Sequence, residues 1–179
     1  MNPSVLSQRY ATEKMNKIFS EEGKTRLERL FWLSVLKAQR DLGLEIPAEA
    51  VEAYEVAVNE IDLGLIEEIE RRTKHDVKAK IEAFCQAAGG YEYVHLGLTS
   101  RDLTDNVEQI QIKQAMRLVF GKYMSVLRHL LDKAEEYRSI ELTARTHHQA
   151  AQPTLLGRRF SMWAEELLVH LVDFEAFIN

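Results

Sequence analysis

The chain has 179 residues, of which 46% are hydrophobic and 28% charged, a balance typical of a folded globular protein. Its 8 glycines and 3 prolines are too few for a loop-rich all-β protein. The net charge of −5 offers no basic excess for binding a nucleic acid. The single cysteine, Cys85, excludes an intrachain disulfide and is typical of the cytoplasm. No apolar run is long enough to span a membrane, and the first residues lack a signal-peptide core.

Hydrophobic residues at intervals of three and four predict helices through most of the chain. In chain order, the predicted helices cover about 25–42, 47–61, 62–69, 76–88, 102–138 and 153–179. The segments at about 90–104 and 142–154 lack a helical stripe, and we expect an ordered loop in the first and an irregular segment in the second. The predicted fold class is therefore all-α.

The helix over 102–138 would be about 50 Å long, more than a compact globule of this size accommodates. Such a helix suits a long bundle or a subunit interface. We therefore expect an N-terminal helical domain over 1–101 and the first part of a central helical bundle domain over 102–179. The last hydrophobic pattern is still running at Asn179 without a capping residue, so we expect a truncated chain.

Three segments place histidines beside hydroxyls or a carboxylate at or near predicted helix ends. They are Thr73–Val77 (TKHDV), His95–Asp102 (HLGLTSRD) and Ala144–Thr154 (ARTHHQAAQPT). Helix N-termini favour bound anions, and histidine carries protons near neutral pH. Motifs for a metal site, a phosphate-binding glycine loop and a serine nucleophile elbow are missing from the sequence. The pattern favours acid–base chemistry on a small anion over a metal site.

Each of these residues also has a structural explanation. His75 can cap a helix beside Asp76, and Thr99 is a favoured residue at a helix start, as are Ser100 and Asp102. Adjacent histidines in a loop, such as His147 and His148, are often merely exposed. Taken singly, the three segments leave both explanations open.

Together, four stretches of the chain resemble the adenylosuccinate lyase family of the fumarase/aspartase superfamily. They are SQRYATEKMNKIFSEEGK, KHDV, HLGLTSRDLTDN and ARTHHQAAQPT, in that order, and the resemblance covers essentially the whole chain. It implies a β-elimination that releases fumarate from adenylosuccinate, giving AMP, and from SAICAR, giving AICAR. It also implies a nucleotide substrate, no cofactor, and a cytoplasmic homotetramer whose active sites combine segments from three subunits.

The resemblance also implies roles for individual residues. His147 matches the general acid, and Thr146 and Gln149 would hold substrate beside it. His75 would assist His147 or bind substrate, with Asp76 orienting it. The remaining residues expected to bind substrate are Arg9 and Tyr10 at the nucleotide phosphate, Lys74, His95 near a phosphate or carboxylate, and Thr99 and Ser100 at the succinyl carboxylate.

One family feature is missing from the sequence. The family's mobile loop, Met-Pro-x-Lys-x-Asn-Pro, carries the serine base, and no Met-Pro pair occurs here. We therefore expect the chain to be inactive alone. Two alternatives stay open: a sister lyase that acts on argininosuccinate or carboxymuconate, and a non-catalytic helical module that oligomerises.

Overall fold

The computed structural model describes residues 4–178 and divides into two compact units, one up to Gln114 and one from Ala115 onward. Its helices are α1 Val5–Tyr10, α2 Glu13–Ile18, α3 Glu21–Asp41, α4 Ala48–Ala57, α5 Leu63–Thr73, α6 Asp76–Ala87, α7 Ser100–Glu136 and α8 Leu156–Ile178. Two strands, β1 Glu141–Thr146 and β2 Gln149–Leu155, lie between α7 and α8. The predicted all-α fold class is confirmed. The predicted domain division falls in the first turn of α7, which contributes to both units, and it stays a prediction.

Capping side chains set the start of α3 earlier than hydrophobic periodicity predicts. The Ser20 hydroxyl accepts a hydrogen bond from the Gly23 amide at 3.0 Å, and Glu21 and Glu22 occupy the first turn. Carboxylates are favourable there because the helix dipole is positive at its N-terminus. This polar first turn has no hydrophobic stripe, so the prediction placed the helix start near residue 25.

The core of the first unit is aromatic and packs α3, α4 and α6 against the beginning of α7. Trp32, Tyr54, Phe84, Leu103 and Val107 are each at most 1% exposed and belong to one hydrophobic cluster. Phe84 lies between the other two rings, with centroids 6.2 Å from Trp32 and 4.8 Å from Tyr54. This cluster supports the loop that follows α6.

The segment predicted to be irregular, at 142–154, is instead an antiparallel hairpin. Glu141 pairs with Leu155 and Thr146 with Gln149, and the register shifts between Thr143 and Arg145. The prediction failed because both strands are mostly exposed and polar, so neither shows the alternating hydrophobicity of a half-buried strand.

The predicted start of the last helix at Pro153 is also wrong. Pro153 lies within β2, opposite Thr143, and α8 begins at Leu156. Proline is tolerated in this strand because each strand of a two-stranded sheet has a free edge. The predicted end of the helix at Asn179 lies outside the described residues.

In the second unit, aromatic side chains join the later part of α7 to α8. Phe174 packs edge-on against Phe120 and Tyr123, with centroids 5.6 and 6.0 Å away. Gly157 lies where the backbones approach closely, because a Cβ atom there would lie 2.4 Å from the Ala134 carbonyl oxygen. Within residues 4–178, no helix is both long and apolar enough to cross a membrane.

Candidate active site

His75 forms the N-cap of α6. Its Nδ1 accepts a hydrogen bond from the Lys78 amide at 3.3 Å and lies 3.5 Å from Asp76 Oδ1. One ring nitrogen cannot both accept from an amide and donate to a carboxylate, so the capped form carries its proton on Nε2. The side chain is 50% exposed, which leaves Nε2 as the nitrogen free to meet a ligand. Capping is therefore observed, and a substrate role for this face of His75 stays a prediction.

His95 lies in the loop between α6 and α7 with its backbone in the left-handed region, at φ 68°. The indole Nε1 of Trp32 donates a hydrogen bond to His95 Nδ1 at 3.0 Å, and the two rings meet edge-on. Gln39 holds the next residue, donating from Nε2 to the Leu96 carbonyl at 2.8 Å. Partial burial lowers the pKa of His95, against the opposing attraction of Asp102.

Thr99 and Asp102 form a reciprocal cap at the start of α7. Both the amide and the hydroxyl of Thr99 donate to Asp102 Oδ2, at 2.7 and 3.0 Å, and the Asp102 amide points back to the Thr99 hydroxyl at 3.4 Å. These hydrogen bonds from Thr99 lower the pKa of Asp102. The Thr99 hydroxyl is thus engaged in capping, while its predicted role at a substrate carboxylate, like that of the neighbouring Ser100, stays a prediction.

His147 and His148 are the two central residues of the hairpin turn. Their φ values are 47° and 62°, the pattern of a type I′ turn, in which both central residues have positive φ. Thr146 and Gln149 pair directly across the strands and flank the turn, so the three residues predicted to act together are placed side by side. All four side chains are exposed.

Left-handed backbone is concentrated in the three predicted segments. Among residues 4–178, the non-glycine residues with positive φ are Lys74, His95, His147 and His148. Each such residue costs roughly 1–2 kcal/mol relative to ordinary backbone. Strain of this kind clusters at functional sites. The backbone geometry therefore indicates the same three segments that the sequence motifs indicated independently.

The predicted residues are distributed over both units. In the first unit, His75, His95 and Asp102 lie close enough for their charges to interact. Arg9 and Tyr10 end the short helix α1 with exposed side chains, and His147 lies in the second unit. Within residues 4–178, no group of three or more His, Cys, Asp or Glu side chains is placed to hold a metal ion.

Sequence reasoning missed Trp32 and Gln39, which hold the loop around His95. The available signal was Trp32 itself, because a tryptophan in an amphipathic stripe is expected to be buried and its indole N–H then needs an acceptor. The acceptor lies 63 positions away, on His95, and local periodicity carries no information about it.

A family model described as a lyase matches residues 7–177. This chain belongs to the lyase family. The lyase chain is 38% identical over 170 residues to adenylosuccinate lyase of Methanocaldococcus jannaschii, and 35% identical over 180 residues to adenylosuccinate lyase of Saccharomyces cerevisiae. These alignments cover 93% and 97% of the lyase chain but 37% of each relative, so the chain spans little more than a third of their length. The resemblance to the adenylosuccinate lyase family is confirmed.

Solved structures with a similar fold are also lyases or related enzymes. A 3-carboxy-cis,cis-muconate lactonizing enzyme from Pseudomonas putida gives a TM-score of 0.80 at 23% identity, over 97% of the lyase chain and 41% of that protein. A fumarate lyase from Mesorhizobium sp. BNC1 gives 0.79 at 23% identity, over 92% and 39%. At this identity the likeness establishes the fold of the lyase chain.

Proposed function

We propose that this chain is part of an adenylosuccinate lyase, which releases fumarate from adenylosuccinate to leave AMP and from SAICAR to leave AICAR. The observation that carries the proposal is the 31–38% identity to adenylosuccinate lyases over most of the chain. The fold neighbours, a carboxymuconate enzyme and a fumarate lyase, are 23% identical to this chain, so a substrate of the argininosuccinate or carboxymuconate type is less well supported.

His147 acts as the general acid of this elimination. A base removes a proton from the carbon beside a carboxylate, the carbon–nitrogen bond breaks, and His147 protonates the leaving nitrogen. The exposed turn presents the imidazole with Thr146 and Gln149 on either side, where an amide and a hydroxyl would orient the substrate. The cost of left-handed backbone at this turn is consistent with a conformation kept for chemistry rather than stability.

The substrate-binding residues of the first unit recognise its anionic groups. Arg9 offers a guanidinium fork to the phosphate, and Tyr10 lies beside it on α1. His75 and His95 each have Nδ1 occupied by a hydrogen-bond donor, so each can offer Nε2–H to an oxygen. Lys74, Asp76, Thr99 and Ser100 complete this set and border the same two helix starts.

The base and the partners come from outside this chain. The Met-Pro-x-Lys-x-Asn-Pro loop that supplies the serine base in the family does not occur in the sequence, so the chain alone does not catalyse elimination. The complete enzyme is a cytoplasmic homotetramer that acts on a nucleotide and needs neither cofactor nor nucleic acid. Support for assembly comes from α8, where Val169, Val172 and Phe177 are 64–77% exposed.

The test uses a chimera in which this chain replaces the matching segment of the Methanocaldococcus jannaschii relative. Fumarate release from adenylosuccinate is measured for the chimera and for the purified chain. We expect turnover by the chimera only, and a loss in kcat of about 10²–10⁴-fold for His147→Ala. His148→Ala is the matched control, since it alters the neighbouring position of the same turn without removing the proposed acid.

Four results would count against the proposal. Turnover by the chain alone would refute the assignment of the base. Equal losses for the two histidine variants would refute the role of His147. A chimera that cleaves argininosuccinate in preference to adenylosuccinate would favour a sister lyase, and an unchanged rate for His147→Ala would favour a non-catalytic helical module.

A further inference from the structure

Trp32 makes a polar contact from within the core. Its side chain is 1% exposed, on α3, and its ring stacks on Phe84 of α6. The indole Nε1 points out of this stack and donates to His95 Nδ1 at 3.0 Å. A core built for packing alone would be served by phenylalanine or leucine, which would leave His95 Nδ1 without this donor.

The hydrogen bond determines which nitrogen of His95 carries the proton. An indole N–H is a donor only, so Nδ1 must offer its lone pair, and the neutral ring then carries its hydrogen on Nε2. Protonation of Nδ1 would place two N–H groups against each other and break the bond. The contact therefore selects one tautomer and opposes the imidazolium form.

We propose that Trp32 is a positioning residue that holds His95 as the neutral Nε2–H tautomer, so that His95 donates a hydrogen bond to an anionic oxygen of the substrate. This inference rests on the proposed lyase function for the identity of the ligand. In this form His95 is a hydrogen-bond donor and cannot act as a general base, because its only free nitrogen already carries a proton.

The groups around His95 act in both directions on its charge. Burial and Trp32 on α3 favour the neutral ring, and His75 at the start of α6 would act in the same direction in its protonated form. Asp102, in the first turn of α7, favours the charged ring. The Asp102 carboxylate accepts two hydrogen bonds from Thr99, which share out its negative charge and limit this opposing effect.

The tautomer is observed directly by long-range ¹H–¹⁵N correlation spectra of the chain labelled with ¹⁵N at its 6 histidines and 2 tryptophans. The His95 signals are assigned by their loss in His95→Gln. We expect Nδ1 to be unprotonated and Nε2 protonated near neutral pH, with a coupling between the Trp32 indole nitrogen and Nδ1 across the hydrogen bond.

Trp32→Phe removes the donor and keeps an aromatic ring in the core. Because a hydrogen bond contributes modestly, the tautomer ratio should shift by roughly 2- to 10-fold toward Nδ1–H. The titration midpoint of His95 should rise by roughly 0.3–1 pH unit, since the neutral ring loses its partner. If this variant does not fold, β-(3-benzothienyl)alanine at position 32 keeps the shape of the indole and lacks only the N–H.

Two controls separate the hydrogen bond from packing. Phe84→Leu removes one ring from the same aromatic cluster but leaves the indole N–H of Trp32 in place, so His95 should keep its tautomer. Trp163→Phe removes the other indole of the chain and should leave the His95 signals unchanged. A wild-type His95 protonated on Nδ1, or a tautomer ratio that survives loss of the N–H, would overturn the proposal.

The role in substrate binding is tested in the chimera. Trp32→Phe should raise KM several-fold with a smaller change in kcat, because a misplaced donor weakens binding before it affects proton transfer. An unchanged KM would refute the donor role even if the tautomer is as expected. A chimera without any lyase activity would count against the proposed function alone, since the spectra of the chain decide the role of Trp32 without turnover.

Discussion

A buried ion pair joins α3 to α6, the helix that presents His75. Lys80 Nζ donates to Glu28 Oε1 at 2.9 Å and lies 2.8 Å from Oε2, with side chains 9% and 1% exposed. Lys80→Met keeps most of the length of the side chain and removes its charge, which leaves the Glu28 carboxylate in the core without its partner. The variant therefore measures the cost of an uncompensated buried charge.

Removing one partner of a buried pair costs about 3–5 kcal/mol of the free energy of unfolding. With a urea slope of about 2 kcal/mol/M, the unfolding midpoint should fall by about 1.5–2.5 M. The exposed lysine of the same helix provides a matched control: Lys78→Met should change the free energy of unfolding by less than about 0.5 kcal/mol. Replacing both partners, as Glu28→Met with Lys80→Met, should cost less than Lys80→Met alone because no charge is then left buried.

The loss of stability in Lys80→Met should depend on pH in a defined direction. Burial raises the pKa of Glu28 in the folded protein above its ordinary value of 4.5, against the attraction of Lys80. In Lys80→Met that attraction is gone, so the folded pKa rises further. The folded state then binds the proton more tightly than the unfolded chain, and the variant gains stability as the pH falls from neutral through that raised pKa. The deficit of Lys80→Met should therefore be largest at neutral pH and shrink in mild acid.

Tryptophan fluorescence gives an assay specific to the first unit. The chain has two tryptophans, and Trp163→Phe leaves Trp32, in the core, as the only reporter. Urea unfolding is followed at several pH values in this background. The reasoning would be refuted if Lys80→Met lowered the free energy of unfolding by less than about 1 kcal/mol, or if this loss did not vary with pH. It would also be refuted if the double variant were as unstable as Lys80→Met.

Three further predictions concern local geometry. Thr99→Ala should destabilise the start of α7 by about 1 kcal/mol, which would be seen as faster amide exchange there. The pKa of Asp102 is lowered in the folded protein. The stabilisation by its carboxylate should therefore be present above pH 3.8 and be lost as the pH falls through the folded pKa. His148→Gly should raise the thermal midpoint of the second unit, since glycine removes roughly 1 kcal/mol of left-handed strain; an unchanged or lower midpoint would mean that the turn is not strained. Gly157→Ala should lower the free energy of unfolding in denaturant by about 1–3 kcal/mol, because its Cβ would meet backbone atoms. Gly121→Ala, with open space around it, should be neutral or stabilising. Equal effects of the two substitutions would contradict the close approach at Gly157.

The helices α3 to α8 were predictable because their signals are local, whereas the short helices α1 and α2 were not predicted. The α6 and α7 helices begin within two residues of their predicted starts, where the His75 and Thr99 side chains cap the helices and the hydrophobic stripes begin. The hairpin was not predictable from periodicity, because its strands bury little and carry polar residues on both faces. Its two-residue turn carries His-His where Asn-Gly is the usual signal, so the turn chemistry was hidden as well.

The sequence by itself determined the all-α class, the three histidine-bearing segments and the family. Each of these depends on neighbours in the chain or on motifs a few residues long. The tertiary structure alone decided that Trp32 meets His95 across 63 positions and that Glu28 and Lys80 form a buried pair. It also decided that His95, His147 and His148 adopt left-handed backbone. Such features depend on which helices pack together, because the donor and the acceptor come from distant parts of the chain. Other distant residues exclude water from the contact, and a hydrogen bond or ion pair is stronger where water is excluded.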